Sequence, residues 1–462
     1  MVHKYRRNVP HLNRRRFLTL TGTGMASAIG ASMLTPHGQT AQAEASDGNT
    51  LAIRTNEHYG DIEAQLVFPG SWELQVQHMK GHGRPGLTVE QIRQKLDSPI
   101  GTPPLKEIAT GKRTAVITFD DLTRPTPSKR VFPLLVEDLR AAGLRDENII
   151  FLTSYGGHRP MTHAEVRAKL GDWVVENFGW MNHNIWENVV EVGVTSQLNK
   201  IKVNHHFAKA DIRVTVSGVK PHGSAGYGGG GKAVLPGVAW VESINYMHRV
   251  VSGLGKNPTT GVCKVFENEM RKDMEEAAGL AQVDFSVQIV YNERREPAEI
   301  FAGDVVNAHH DACRMANQHF RTPIAKNADI VVINSYPQSR QASSGLAWAR
   351  RCLRDGGSVV LIAQHPDAVS TMHYMGERWS YNGQPYWDLV ESAEKPVDQA
   401  AQLIVFSQHM HKRDVDQISA KHVRLTRSWD DALDLLKKNH RTEAKVVVYP
   451  YANIQHEEID LT

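Results

Sequence analysis

Short runs of β-branched and apolar residues recur along the chain, separated by longer stretches in which apolar residues return every three or four positions. TAVITF (114–119), NIIFLTS (148–154), IRVTVSG (212–218) and KAVLPG (232–237) read as strands. VFPLLVEDLRAAG (131–143) and THAEVRAKLGDWVVENF (162–178) read as amphipathic helices between them. Thr162 with Glu165 three positions on is a capping box, which predicts a helix start at His163. NEMRKDMEEAAGLAQVDFSVQIVYN passes from an acidic helix to a strand near residue 284. VVIN, VVLIA and LIVF then read as strand cores, with ASSGLAWARRCLRDGG as a helix stopped by Gly356 and Gly357. VRLTRSWDDALDLLKKN and KVVVYPYA complete a last strand–helix–strand unit. The expected class is α/β, with two domains of mainly parallel sheets around an interdomain active-site cleft. The expected domains are 44–275, catalytic and cofactor-anchoring, and 276–462.

The densest chemical signal is KPHGSAGYGGGGKAVLPG, Lys220 to Gly237, with Gly228 to Gly231 in succession and Lys232 directly after. Consecutive glycines let backbone approach a ligand closely, at a cost in conformational entropy. A Walker A phosphate loop would need Ser or Thr after the lysine to hold magnesium, and Ala233 stands there. A lysine bonded covalently to a cofactor and a flexible surface loop remain as readings. Nearby signals favour a site. Asp121, Thr123 and Arg124 follow one apolar run and His158 follows another, at strand carboxyl ends where open α/β sheets bind ligands. His222 and His248 flank the glycine loop, and histidine serves as acid, base or metal ligand near neutral pH.

The motifs DDLTRPTP, GGHRPMTHAE, NHHFAKAD, KPHGSAGYGGGGKAVLPG, MHR and FAGD occur in an order that resembles the lactate racemase family, which uses a nickel-pincer nucleotide. The resemblance covers nearly all of the chain after about residue 50. It implies that Lys232 is joined covalently to the cofactor, a pyridinium-3-thioamide-5-thiocarboxylic acid mononucleotide carrying nickel. It implies that His248 coordinates nickel, that His158 and His222 are the acid/base pair, and that Arg124 helps to hold the substrate. Asp121, Thr123, Gly229, Gly230 and Gly231 are the further expected cofactor contacts. The implied reaction is racemisation or epimerisation of a small 2-hydroxy acid or sugar acid by reversible hydride transfer. A nickel-pincer dehydrogenase or lyase, or a periplasmic solute-binding protein, are the alternatives.

One stretch departs from the family. Its second domain usually supplies a glutamine and a lysine after a Tyr-Pro-x-Asp segment, whereas here the stretch reads SYPQSRQASSGLAWAR. Ungapped placement puts Ser344 and Ala347 at those positions. A three-residue slip keeps Gln341 and puts Ser344 in place of the lysine. Arg340 is a candidate replacement for the lost charge, although a guanidinium fork is not interchangeable with an ammonium. Arg340, Gln341 and Ser344 are therefore the expected substrate contacts from this half.

Residues 1–43 carry RRRFL (14–18), a weakly apolar stretch and Ala41-Gln42-Ala43, which together resemble a cleavable twin-arginine export signal. No uninterrupted apolar run of about 20 residues makes it a stable membrane anchor. The expected location is periplasmic or otherwise exported, through the twin-arginine translocase, after loading by cytoplasmic cofactor-maturation enzymes. Six Lys/Arg and no Asp/Glu lie in this segment, so its loss turns a formal charge of +3 into −3. That removes the electrostatic support for nucleic-acid binding. Cys263, Cys313 and Cys352 are widely spaced, form no CxxC pattern and are read as buried thiols. His309 and His310 beside Asp311 suggest metal but are read as structural, and Trp379 and Trp387 are weighed as pocket or packing residues.

Overall fold

The protein is described here from a computed structural model, which defines residues 48–56, 60–365, 396–419, 423–459 and 461. The expected export segment and Trp379 and Trp387 lie outside the described residues. Among those residues no helix is long and apolar enough to cross a membrane.

Two six-stranded sheets organise the molecule. The first runs in the order Pro297–Gly303, Phe285–Tyr291, Ile212–Gly218, Ala115–Asp120, Ile149–Ser154, Gly179–Asn182. Its pairings are parallel except for the antiparallel hairpin of Phe285–Tyr291 with Pro297–Gly303. The second runs Val423–Thr426, Ala400–Phe406, Leu353–Ile362, Ala328–Asn334, Lys445–Tyr449, Glu73–Val76 and is parallel throughout. Each sheet has an apolar cluster on either face. Central parallel strands are then buried on both sides, which is why AVITF and FSVQIVY are nearly unbroken apolar runs. Each fully buried side chain such as Phe119, Phe151 or Ile289 contributes about 1.5–3 kcal/mol of transfer free energy.

Several expectations change on folding. Residue 275 falls inside helix Glu269–Leu280, and the first sheet draws its last two strands from beyond it. The chain also begins in the other half. Glu73–Val76 is an edge strand of the second sheet, and Ile53, Leu66, Phe68 and Trp72 share its core with Ile330 and Val446. KAVLPG is no strand: Gly230–Ala233 forms a 3₁₀ turn, and the backbone keeps turning to Gly237. The helix predicted over 162–178 divides at Gly171, whose φ of +87° ends His163–Leu170 before Asp172–Asn177 begins. Helix Leu346–Cys352 stops before the glycines, because Leu353–Ile362 already pairs as a strand with a register irregularity at Gly357. The capping box is present, with Thr162 Oγ1 accepting from Glu165 N at 3.3 Å and Glu165 Oε2 from Thr162 N at 2.7 Å.

Candidate active site

Three neighbouring strands of the first sheet, Ile212–Gly218, Ala115–Asp120 and Ile149–Ser154, end on one edge. The loops that follow carry Lys220–Gly237, Asp121–Arg124 and Tyr155–His158. Parallel strands point all their carboxyl ends one way, so segments about 35 and 60 residues apart in sequence meet there. A pocket at that edge is lined by Asp121, Arg124, His158, His222, Lys232 and His248, with Gln341 reaching in from the second half.

His158 is set by the loop after Ala115–Asp120. Its Nδ1 lies 2.7 Å from Asp121 Oδ2 and 3.1 Å from Thr123 Oγ1. Asp121 Oδ1 accepts from Thr123 N at 2.9 Å and from its Oγ1 at 2.6 Å, and Arg124 Nη1 donates to the same Thr123 oxygen at 2.8 Å. Burial disfavours the Asp121 charge, but His158, Arg124 and Thr123 outweigh it and hold the carboxyl below its ordinary range. Burial lowers the His158 pKa against the pull of Asp121, so the ring is neutral near pH 7. Its proton then sits on Nδ1, facing the carboxylate, and Nε2 is the basic nitrogen.

His222 has the opposite tautomer. Its Nδ1 accepts from the backbone N–H of Ser224 at 3.3 Å and of Ala225 at 3.1 Å, so Nε2 bears the proton. Burial, then Lys232 and Arg124, keep its pKa well below the usual value. His248 lies on a π-helical turn, Met247–Val251, a distortion common at functional sites. Its Nδ1 donates to Ile244 O at 2.9 Å, and burial lowers the pKa to about 4. A neutral imidazole with one N–H tied to a carbonyl and a basic Nε2 is what a metal ligand requires.

The glycine loop is shaped mainly by protein. A Cβ on Gly230, at φ +63°, would sit 2.6 Å from His309 Cγ, and one on Gly229 would collide with Gln288. Gln288 Oε1 accepts from Gly230 N at 2.8 Å, and His309 Nε2 donates to Gly228 O at 2.8 Å. Arg271, fully buried on helix Glu269–Leu280, donates to the carbonyls of Gly229, Ala225 and Tyr227. Gly229 lines the pocket, whereas Gly230 and Gly231 face His309 and the Met274 backbone. Of the three glycines expected at the cofactor, Gly229 is the one that lines this pocket. Lys232 follows on the 3₁₀ turn. Burial, reinforced by Arg124 and Arg271, drives its pKa well below the ordinary lysine value, which favours the nucleophilic free amine.

From the second half, Gln341 lines the pocket and Ser344 lines an adjoining cavity. Arg340 does neither. Its Nε donates to His365 Nε2 at 2.6 Å, and the guanidinium lies 3.7 Å from Glu165, which also binds Arg159. Arg340 thus ties the two halves together. Gln338 does similar work unannounced by any motif: its Nε2 donates to Thr123 O at 2.7 Å and to Gln341 Oε1 at 2.8 Å. Arg271, Gln288 and Gln338 escaped sequence reading because each acts on backbone carbonyls or amides, which no side-chain pattern encodes. Lys220 was legible within KPHG; it is buried beside His222 and lines the adjoining cavity.

The donor set suits a tethered, metallated ring: a buried lysine amine, one carbonyl-tied imidazole and two further imidazoles in a pocket walled by Gly156, Gly157 and Gly229. Among the described residues, a separate group of three potential metal ligands, Glu275, His309 and His310, lies behind the glycine loop. Its members are already engaged, His310 with Glu275 at 2.9 Å and His309 with Gly228 O. All three cysteines are buried and free.

Residues 59–260 match the family described as lactate racemase N-terminal domain. A lactate racemase from Thermoanaerobacterium thermosaccharolyticum is 32% identical over 283 residues, covering 60% of this chain and 66% of that protein. The chain thus aligns with just under two thirds of that relative's length. One from Lactiplantibacillus plantarum is 28% identical over 393 residues, covering 78% and 89%. The apoprotein structure of the T. thermosaccharolyticum lactate racemase superposes with a TM-score of 0.66 at 25% identity, over 88% of this chain and 99% of that one. A crystal structure of a Thermotoga maritima protein, at TM-score 0.58 and 20% identity, has the same fold over 82% of this chain and all of the other. With the family match spanning the loops that build the pocket, and the fold shared across both sheets, residues 59–260 are a lactate racemase N-terminal domain and the chain as a whole is similar to the lactate racemases.

Proposed function

We propose that this protein is a racemase or epimerase that inverts C2 of a 2-hydroxy acid, using a nickel-pincer nucleotide joined to Lys232. The observation that carries the reading is the convergence of Lys232, His158, His222, His248 and Arg124 on one pocket. When bound, the nucleotide supplies a reversible hydride acceptor, chemistry that no amino-acid side chain offers.

The chain supplies the rest. Lys232 is the anchoring amine, and His248 offers Nε2 as a nickel ligand with Ile244 O fixing its ring. Arg124, braced by Thr123, pairs with the substrate carboxylate through a fork of donors that fixes orientation as well as charge. His158 accepts the C2 hydroxyl proton at Nε2, and Asp121 stabilises the imidazolium that results. His222 enters as a hydrogen-bond donor to the same oxygen. For the reverse direction His222 must become the base. That requires its Nδ1 to release two backbone contacts of 3.1 and 3.3 Å and take up a proton while Nε2 gives its own up, so that Nε2 presents a lone pair. The two directions therefore differ in how far each ring is prepared. Twin-arginine export after cytoplasmic loading belongs to the same proposal, since a covalent bond to Lys232 keeps the nucleotide with the chain during transport.

Co-production with the cofactor-maturation enzymes, followed by intact-mass analysis and a chiral assay over 2-hydroxy acids, tests the reading. The expected result is a mass increment that maps to the Lys232 peptide, together with C2 inversion. A loaded chain that accumulates keto acid or an unsaturated product is a dehydrogenase or lyase. A chain that never acquires the increment overturns the proposal.

A further inference from the structure

The pocket wall formed by His222, His248 and Gln341 is shared with a second cavity. The first pocket encloses about 80 Å³ and the second about 480 Å³, within the roughly 300–1,000 Å³ of small-molecule sites. The second cavity opens where this chain departs from the family. Ser344 and Ala347, the positions that ungapped placement assigns to the family's glutamine and lysine, stand on its wall with small side chains.

Its chemistry narrows what can enter. Ser224, Ser344, Gln341 and Asn453 offer neutral hydroxyl and amide groups. Arg351 is matched by Glu457 at 2.8 Å, and Lys220 is the further cation of the lining. Gln341 Oε1 and Asn453 Nδ2 are bonded within the protein, but an apolar tail would face the Ser224 and Ser344 hydroxyls and the buried Asn453 Oδ1 without pairing them, a penalty that polar sites exploit for rejection. A hydroxylated chain would meet them, with Met270 and Ile459 against its carbon face.

Resting on the proposed C2 inversion, we infer that the substrate is a polyhydroxylated 2-hydroxy acid of the aldonic-acid class, its carboxylate and C2 in the first pocket and its hydroxylated tail in the cavity beside Ser344 and Ala347. Such a substrate keeps its other stereocentres, so the protein is an epimerase and its product a C2 epimer.

The test uses the cofactor-loaded full chain, with the adduct verified by mass, and compares a hexonic acid, glycerate, lactate and 2-hydroxyhexanoate as substrates. The hexonate is expected to exceed lactate and 2-hydroxyhexanoate by at least about tenfold in kcat/KM. Filling the cavity by Ser344→Phe, or separately by Ala347→Phe, is expected to lower the hexonate-to-glycerate ratio of kcat/KM by at least about tenfold. A preference for lactate or 2-hydroxyhexanoate, or an unchanged ratio in both variants, overturns the inference. Should the loaded chain invert none of the four acids, the C2 reading itself fails. Calorimetric titration of the loaded chain with hexonate then decides the cavity alone: binding weakened by Ser344→Phe supports it, and no binding overturns it.

Discussion

Asp121→Asn separates the two jobs that the DDLTR loop can have, orienting His158 or holding the cofactor. The substitution keeps the shape and leaves Oδ1 able to accept from Thr123 N and Oγ1, now at 2.9 and 2.6 Å, so Arg124 stays braced. What changes is Oδ2, which accepts the His158 Nδ1 proton at 2.7 Å. An amide NH₂ there donates to Nδ1, moves the imidazole proton to Nε2 and removes the basic lone pair from the nitrogen that takes the substrate proton. A positioned general base is worth about 10²–10⁴-fold, and the corresponding change in serine-protease triads costs about 10⁴. We expect kcat to fall by about 10²–10⁴ with KM changed far less. The assay is C2 inversion across pH on protein whose adduct and nickel content match the parent. The carboxylate raises the His158 pKa against burial, so its loss shifts the acid limb of any residual activity to lower pH. Stability adds a second readout. A carboxyl with a depressed folded pKa stabilises the fold above its unfolded value of about 3.9 and loses that contribution as pH falls through the folded one. The Tm gap between parent and variant should therefore narrow below about pH 4. Activity within about twofold of the parent would refute the orienting role, and loss of the adduct in place of turnover would make Asp121 a cofactor contact.

Lys232→Ala should yield a folded chain with no mass increment and no inversion; the same adduct on another residue refutes the anchor. His248→Ala should keep the organic adduct on Lys232 while nickel per chain, by elemental analysis, falls by at least about tenfold, as expected for loss of a metal ligand. Arg271→Met leaves the carbonyls of Ala225, Tyr227 and Gly229 without their buried donor, and should cost about 3–5 kcal/mol in urea unfolding. A loss under about 1 kcal/mol would mean that the glycine loop holds itself. His183 and His319 are buried, with pKa values lowered to about 4 by burial. Because the unfolded rings protonate near 6.5, stability should be full above that pH and decline toward pH 4, by up to about 3 kcal/mol for each. A flat stability between pH 7 and 4.5 would contradict their neutral burial.

Much of this protein is readable from local pattern. The period of apolar residues located the strands and most helices, because burial on a sheet or helix face is imposed within a few residues of chain. The loops bearing Asp121, Arg124, His158 and Lys232 were legible as strand ends, and the Thr162–Glu165 cap as a helix start. The lysine, the three histidines and the arginine of the site were named by motif alone. Tertiary structure decided what these residues do for one another. Asp121 and Thr123 orient His158 and brace Arg124, most of the glycine run answers to His309, Gln288 and helix Glu269–Leu280, and Arg340 joins the halves through Glu165. It also decided that Glu73–Val76 leaves the early part of the chain for the edge of the second sheet. The reason is the range of the forces involved. Side-chain periodicity records whether a residue is buried, whereas parallel pairing, close backbone approach and carbonyl-directed hydrogen bonds depend on partners that can lie hundreds of residues away, and only the packed chain selects among them.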